Sequence, residues 1–281
     1  MTGGRSKSAK EIQESAGAKI LINSIIYLSC TLFSFLFVLN SPALAVRNDI
    51  IDNNDYIIID DQRGNYDRCI DLAHQRAETA IKMAERWFNL SKLEAAMHCR
   101  AIALTTSGQH ELAANALEKI ANNTDSSVRI KAGLYQHAAQ VWVRARKPSL
   151  ALSALNKAVA IDVTNIQALE DRAILNADQS EFWSAIDDLN TIIDIDPNNT
   201  SAIVLRASAY RQLDINTLAL ENIDLALSFE KNNVDALLEL SLLKKSQQKI
   251  SAAIQIWERI IQLAPQSESA ISAKMHLENQ Q

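Results

Sequence analysis

The sequence predicts an all-α solenoid: about five helix pairs in series, with helical caps at both ends. Three observations carry this. Apolar residues make up 48% of the 281, aromatics only 5%, and there are 6 Gly and 4 Pro. Sandwiches and barrels need turn signals roughly every 8–12 residues, so a chain led by Ala, Leu, Ile, Glu and Lys points to helices. Second, "LALSALNKAVAIDVTN" (150–165) returns as "SAIDDLNTIIDIDPNN" (184–199), 34 residues later. Third, apolar positions superimpose at that same step through four gapless units, from about Ala132 to Pro265.

Residues 1–45 read as a secretory signal peptide. Arg5, Lys7, Lys10 and Lys19 precede "ILINSIIYLSCTLFSFLFVLN" (20–40), which carries no charge and is long enough to span a bilayer. "SPALA" (41–45) follows. Ala43 and Ala45 stand two apart behind Pro42, and small residues there suit the pockets of a signal peptidase. Cleavage after Ala45 leaves a periplasmic or secreted chain. The alternative keeps residues 20–40 as an inner-membrane anchor, and either way the remainder lies outside the cytoplasm. Cys30 does not suit a lipoprotein, because Tyr27 stands where Leu is usual and no polar tether follows.

Residues 46–65 ("VRNDIIDNNDYIIIDDQRGN") are rich in Asp and Asn without a helical period. They read as a flexible acidic leader, in which the run Tyr56–Ile59 is able to dock as a short strand. Residues 66–90 form an irregular helical pair that caps the array, residues 91–266 form the array, and residues 267–281 a single polar-faced capping helix.

Within the array, Tyr135, Leu169, Ile203 and Leu237 form one column. Ala139, Ala173, Ala207 and Ser241 form a second, and Ala151, Ala185, Ala219 and Ala253 a third. Leu155, Leu189, Ile223 and Trp257 form a fourth; Ala158, Ile192, Ala226 and Ile260 a fifth. An earlier unit keeps the internal spacing with Ala101, Ala113, Leu117 and Ile120. It is offset by 38 residues, the excess falling in the polar stretch 121–129. A period of this kind means stacked supersecondary units. In the unit around residues 166–195 the helices are expected over 166–178 and 182–195. "ADQS" (177–180) breaks them, Ser180 caps the second helix, and Asp196-Pro197 ends it. Small residues recur where two helices cross closely, since overpacking there costs about 1–3 kcal/mol.

This spacing resembles the tetratricopeptide-repeat (TPR) family over about Lys92 to Pro265. The family's early Trp column holds Tyr135, Leu169, Ile203 and Leu237, its Gly column is mostly Ala, and its Tyr column holds Trp142, Asn176, Tyr210 and Lys244. The resemblance implies a right-handed solenoid in which the first helix of each unit lines a concave, peptide-binding groove. The matching outward positions are His98, Gln136, Gln140, Glu170, Asp171, Ser208, Arg211, Glu239 and Lys245. They lack the basic-and-Asn set with which some family members clamp a terminal carboxylate. Amides around a central acidic pair suit a polar or partly basic segment.

With Cys30 removed, Cys69 and Cys99 remain. In an oxidising compartment they suit a disulfide stapling the cap to the first unit; two buried free thiols are the alternative. His74 and His98 lie near them, but His98 and Cys99 are adjacent and diverge by about 100° on a helix, so the four do not converge as zinc ligands do. His110, His137 and His276 are scattered and read as surface or interface residues. No nucleophile elbow, zinc-protease motif or phosphate loop is present, so no catalytic residue, metal or cofactor is expected. The pairs Glu170/Asp171 and Asp187/Asp188 read as solvated helix faces. A net charge of −5 gives no basic face for nucleic acid. The expectation is a non-catalytic scaffold that binds other proteins or peptides, and that meets a membrane only if the N-terminal segment is uncleaved.

Overall fold

A computed structural model describes residues 62–279. The export signal, the alternative anchor and residues 46–61 of the leader lie outside the described residues. The chain divides into two compact units, with the division after Asp171. Among the described residues there are thirteen α-helices and no strand.

The first unit holds α1 (Gln62–Gln75), α2 (Ala77–Ser91), α3 (Glu94–Thr106), α4 (His110–Asn123), α5 (Val128–Arg144), α6 (Pro148–Ile161) and the start of α7 (Ile166–Asp178). Helices α1, α2 and α3 pack on one another, and then each helix packs on the next as far as α6. Helix α1 begins inside the stretch read as leader. Residues 62–65 form its first turn, and Asn65 is buried. The irregular pair is fastened by a disulfide between Cys69 of α1 and Cys99 of α3, Cα to Cα 6.1 Å, with both residues fully buried. Pro148 opens α6, where its missing N–H costs nothing.

The second unit holds the rest of α7, α8 (Phe182–Ile195), α9 (Thr200–Gln212), α10 (Asn216–Phe229), α11 (Val234–Ser246), α12 (Ile250–Leu263) and α13 (Glu268–Glu278). From α8 onward successive helices pack in series, and α9, α11 and α13 also touch alternately, first helix against first helix.

All twenty residues of the five columns are buried. The alanines allow close crossings, while Leu155, Leu189, Ile223 and Trp257 fill the space around them, each fully buried aliphatic being worth roughly 1.5–3 kcal/mol. Two further columns keep the same step. Asn165, Asn199, Asn233 and Ser267 each accept a hydrogen bond from the backbone N–H three residues on, at 2.9–3.1 Å, and so cap α7, α9, α11 and α13. Arg146, Ser180, Asp214 and Gln248 each take a left-handed backbone (φ 59–67°) in the turn between paired helices, where Gly108 does the same earlier (φ 80°). Ser180 is therefore not a cap. It makes the reversal, and α8 begins behind Glu181 with no side-chain cap.

Helix α13 is less polar outside than expected. Ile271 is 46% and Met275 38% exposed. They stand one step beyond Leu237 and Ser241, which α12 covers, and no described helix covers that side of α13.

Candidate functional site

The array offers the first helices of its pairs, and each unit arranges its polar side chains there differently. In the first unit, Gln136 and Gln140 of α5 both donate through Nε2 to Asp171 Oδ2 on α7, at 2.7 and 3.0 Å. All three are buried. One helical turn separates the two glutamines, so both amides reach the same oxygen. Burial pushes Asp171 up to about 6, against the two amide donors and with help from the neighbouring charge of Glu170. Glu170 itself is half-buried.

On α3, His98 is also buried, its Nδ1 hydrogen-bonded to the Tyr66 hydroxyl of α1 at 2.9 Å. Its ring lies 6.0 Å from Tyr66, nearly parallel, and 5.8 Å from His137 of α5, edge to face. Burial lowers His98 to about 4. It lowers His137 to about 3, with His98 and Arg144 adding to the effect. Burial, and then Asp67, raises Tyr66 to about 12. Around neutrality the cluster is therefore uncharged. Beside it opens a pocket of about 410 Å3 between α1, α3, α5 and the turn from α6 to α7. Its buried and half-buried walls are Tyr66, His98, Ile130, Gly133, Leu134, Asp162, Asn165 and Ile166; Ser127, Arg129, Thr164 and Gln167 are exposed around it.

In the second unit, Arg211 of α9 donates through Nε to Glu239 Oε2 of α11 at 2.6 Å. Glu239 is buried, Arg211 half-buried, and Ser208 is half-buried on the same helix. Lys245 Nζ lies 3.4 Å from Nδ1 of His276, whose ring stacks on Trp257 at 5.2 Å.

The nine positions thus fall into several separate clusters, two in each unit among them, rather than one uniformly hydrated face. His98, Gln136, Gln140, Asp171 and Glu239 are buried and are held by neighbouring side chains. The acids read as solvated are likewise not all so: Asp171 is buried, and Asp188 is buried against Arg172. His137 belongs to the interior cluster rather than the surface. The bond between Cys69 and Cys99 takes both sulfurs from any metal. Among the described residues no group of three or more His, Cys, Asp or Glu is placed to hold a metal ion. Of the pocket walls His98 alone is legible as a candidate; Tyr66 lies in the cap, outside the 34-residue columns, and its three- and four-residue spacing from Cys69 and Ile70 on one helix is the available hint.

No helix among the described residues is long and apolar enough to cross a membrane. No family profile and no curated protein matches the sequence. Solved structures match the fold. A crystal structure of MamA covers 59% of this chain and 94% of its own at 18% identity, TM-score 0.51. MamA (residue 41 to the end) from Desulfovibrio magneticus RS-1 covers 61% and 95% at 12% identity, TM-score 0.53. The crystal structure of the APC/C hetero-tetramer Cut9-Hcn1 is matched over 77% of this chain and 43% of that one, at 14% identity and TM-score 0.54.

The chain is an all-α helical-repeat solenoid. More specifically, its fold is that of tetratricopeptide-repeat proteins.

Proposed function

We propose that the chain is a non-catalytic protein-binding scaffold or adaptor of the bacterial periplasm, acting in cell-envelope assembly or maintenance. Partner segments dock on the first helices of its pairs. The observation that carries this reading is the pinning of Gln136, Gln140 and Asp171, and of Arg211 and Glu239. Side chains already held in place lose little freedom when a partner arrives, which lowers the cost of binding by about 0.5–1.5 kcal/mol for each. The TPR-fold match to a Cut9-Hcn1 hetero-tetramer supports a role in assemblies. The basic, apolar and Ala-x-Ala features of residues 1–45 support export, and so does a disulfide, which persists in oxidising compartments.

Cross-linking in the native envelope, followed by mass spectrometry, tests the reading. Glu170→Lys with Asp171→Asn is expected to lose captured proteins that the unaltered chain retains. An unchanged set overturns the role of this face. The conservative Asn is used because Asp171 is buried.

A second reading is favoured by the 19 residues that precede the apolar run and by the length of that run. It makes the protein a membrane-anchored assembly factor, as in cytochrome c maturation. N-terminal sequencing separates the two: a chain beginning at Val46 has no anchor.

A further inference from the structure

Helix α10 is apolar on two sides. Its buried side holds Ala219, Ile223 and Ala226, while Leu218, Leu225 and Phe229 form an exposed row along it, at i, i+7 and i+11. Ile195 of α8 and Leu263 of α12 hold the position of Phe229 one 34-residue step before and after it. All five side chains are between 36% and 46% exposed. A second apolar stripe on a helix whose first is already buried marks an interaction surface. The charge beside it has one sign. Asp187 and Asp194 of α8, Glu221 and Asp224 of α10 and Glu258 of α12 are exposed, and none of these carboxylates is paired among the described residues. The one basic residue of the three helices, Arg259, is held by the Lys231 carbonyl and Asn232. In the first unit the second-helix carboxylates are instead paired, Glu111 with Lys147 at 3.5 Å and Glu118 with Lys157 at 2.8 Å.

We infer that the second helices of this unit, α8, α10 and α12, form a docking surface for a basic amphipathic helix of another protein. The apolar residues of that helix, spaced three and four apart, lie along Leu218, Leu225 and Phe229, and its Lys and Arg residues meet the flanking carboxylates. The row on α10 runs for about 16 Å, the length of three helical turns. Charge selects this occupant. An anionic membrane, or the same face of a second copy, carries the sign of Asp194, Glu221 and Asp224 and is repelled by them. The surface lies on second helices, so it does not rest on the first-helix docking proposed above, and the two faces can hold two partners at once.

Fluorescence anisotropy of a labelled amphipathic Leu/Lys peptide against the full chain tests the inference. The peptide is expected to bind at least about tenfold tighter than its Leu/Glu counterpart or a scrambled Leu/Lys sequence, and to weaken as salt is raised. Leu225→Ser with Phe229→Ser is expected to lose the peptide. Glu221→Lys with Asp224→Lys is expected to reverse the preference, so that the Leu/Glu peptide binds the tighter; a gain of that kind requires a folded chain. Binding is expected to survive Glu170→Lys with Asp171→Asn, which separates this surface from the first-helix face. No binding of the Leu/Lys peptide, equal binding of the two peptides, indifference to Glu221→Lys with Asp224→Lys, or loss in the Glu170→Lys variant each overturn the inference. So does binding to anionic vesicles, or self-association, that Leu225→Ser with Phe229→Ser removes, since the occupant is then a membrane or a second copy.

Discussion

Arg172 and Asp188 lock the two helices of one pair together through a two-point contact: Nε to Oδ2 at 2.9 Å and Nη2 to Oδ1 at 2.6 Å. One repeat later, Arg206 donates through Nε to Asn222 at 2.9 Å and through Nη1 to Asn190 at 2.7 Å. The same arginine is thus served by a carboxylate in one unit and by amides in the next. Asp188→Leu leaves the guanidinium without this partner in a largely dry site and is expected to cost about 3 kcal/mol. Asp188→Asn is expected to cost clearly less, because Asn222 already shows that an amide fits. Urea unfolding midpoints check the order; equal losses would contradict it.

The turns at Arg146, Ser180, Asp214 and Gln248 store backbone strain, and the turn at Gly108 does not. A non-Gly residue in the left-handed region costs about 1–2 kcal/mol, part of which glycine returns as unfolded-state freedom. Ser180→Gly and Gln248→Gly are therefore each expected to stabilise the fold by about 0.5–1 kcal/mol. Gly108→Ala is expected to destabilise it by about 1 kcal/mol. Nothing lies within 4 Å of an added Cβ there, so the loss reports the backbone alone. Thermal denaturation of the three variants reads both signs.

The Cys69–Cys99 bond closes a 30-residue interval. Chain entropy assigns it about 3–4 kcal/mol. Cys69→Ala with Cys99→Ala is expected to lower the unfolding free energy by about that much, and reductant to shift the unaltered chain in the same direction while leaving the double variant unmoved. Denaturant titration with and without reductant distinguishes the bond from two buried thiols.

Acid acts on the first unit through opposing groups. His98 and His137 bind protons near 6.5 when unfolded but only at about 4 and about 3 when folded. The unfolded chain therefore holds extra protons below pH 6.5, and stability falls as the pH drops through that window. Asp171 works the other way. Raised from 3.8 to about 6, it makes the folded chain the better proton binder between those values, so its contribution is lost as pH rises through 6. Unfolding free energy is expected to fall from pH 7 to 4. Asp171→Asn is expected to steepen that slope, and His98→Gln to flatten it. A slope unchanged in both variants would refute the assignment.

The helix pairs were legible because burial imposes a period, and Ala151, Ala185, Ala219 and Ala253 record it without exception. The ends of α8 were legible because Asp196-Pro197 is a local stop. Asn165, Asn199 and Asn233 keep the same period but are not legible as caps, since Asn before a helix reads equally as loop. Ser180 reads as a cap because Ser commonly serves as one; the tight reversal between paired helices instead takes a left-handed residue there. The burial of Asp188 was invisible because its partner lies 16 residues away, a distance set by the hairpin rather than by any helical step. For the same reason, the nine candidate positions were identifiable as first-helix residues, but which of them pair with one another was not.

The identical stereochemistry at Asn165, Asn199, Asn233 and Ser267 means that a junction does not depend on which unit it joins. A gene for such a chain can gain or lose a whole 34-residue module by slippage and still encode a splice that closes properly, whereas a change of another length must be absorbed in a loop, as the four extra residues in 121–129 are. Array length is then a quantity that selection can adjust in whole steps.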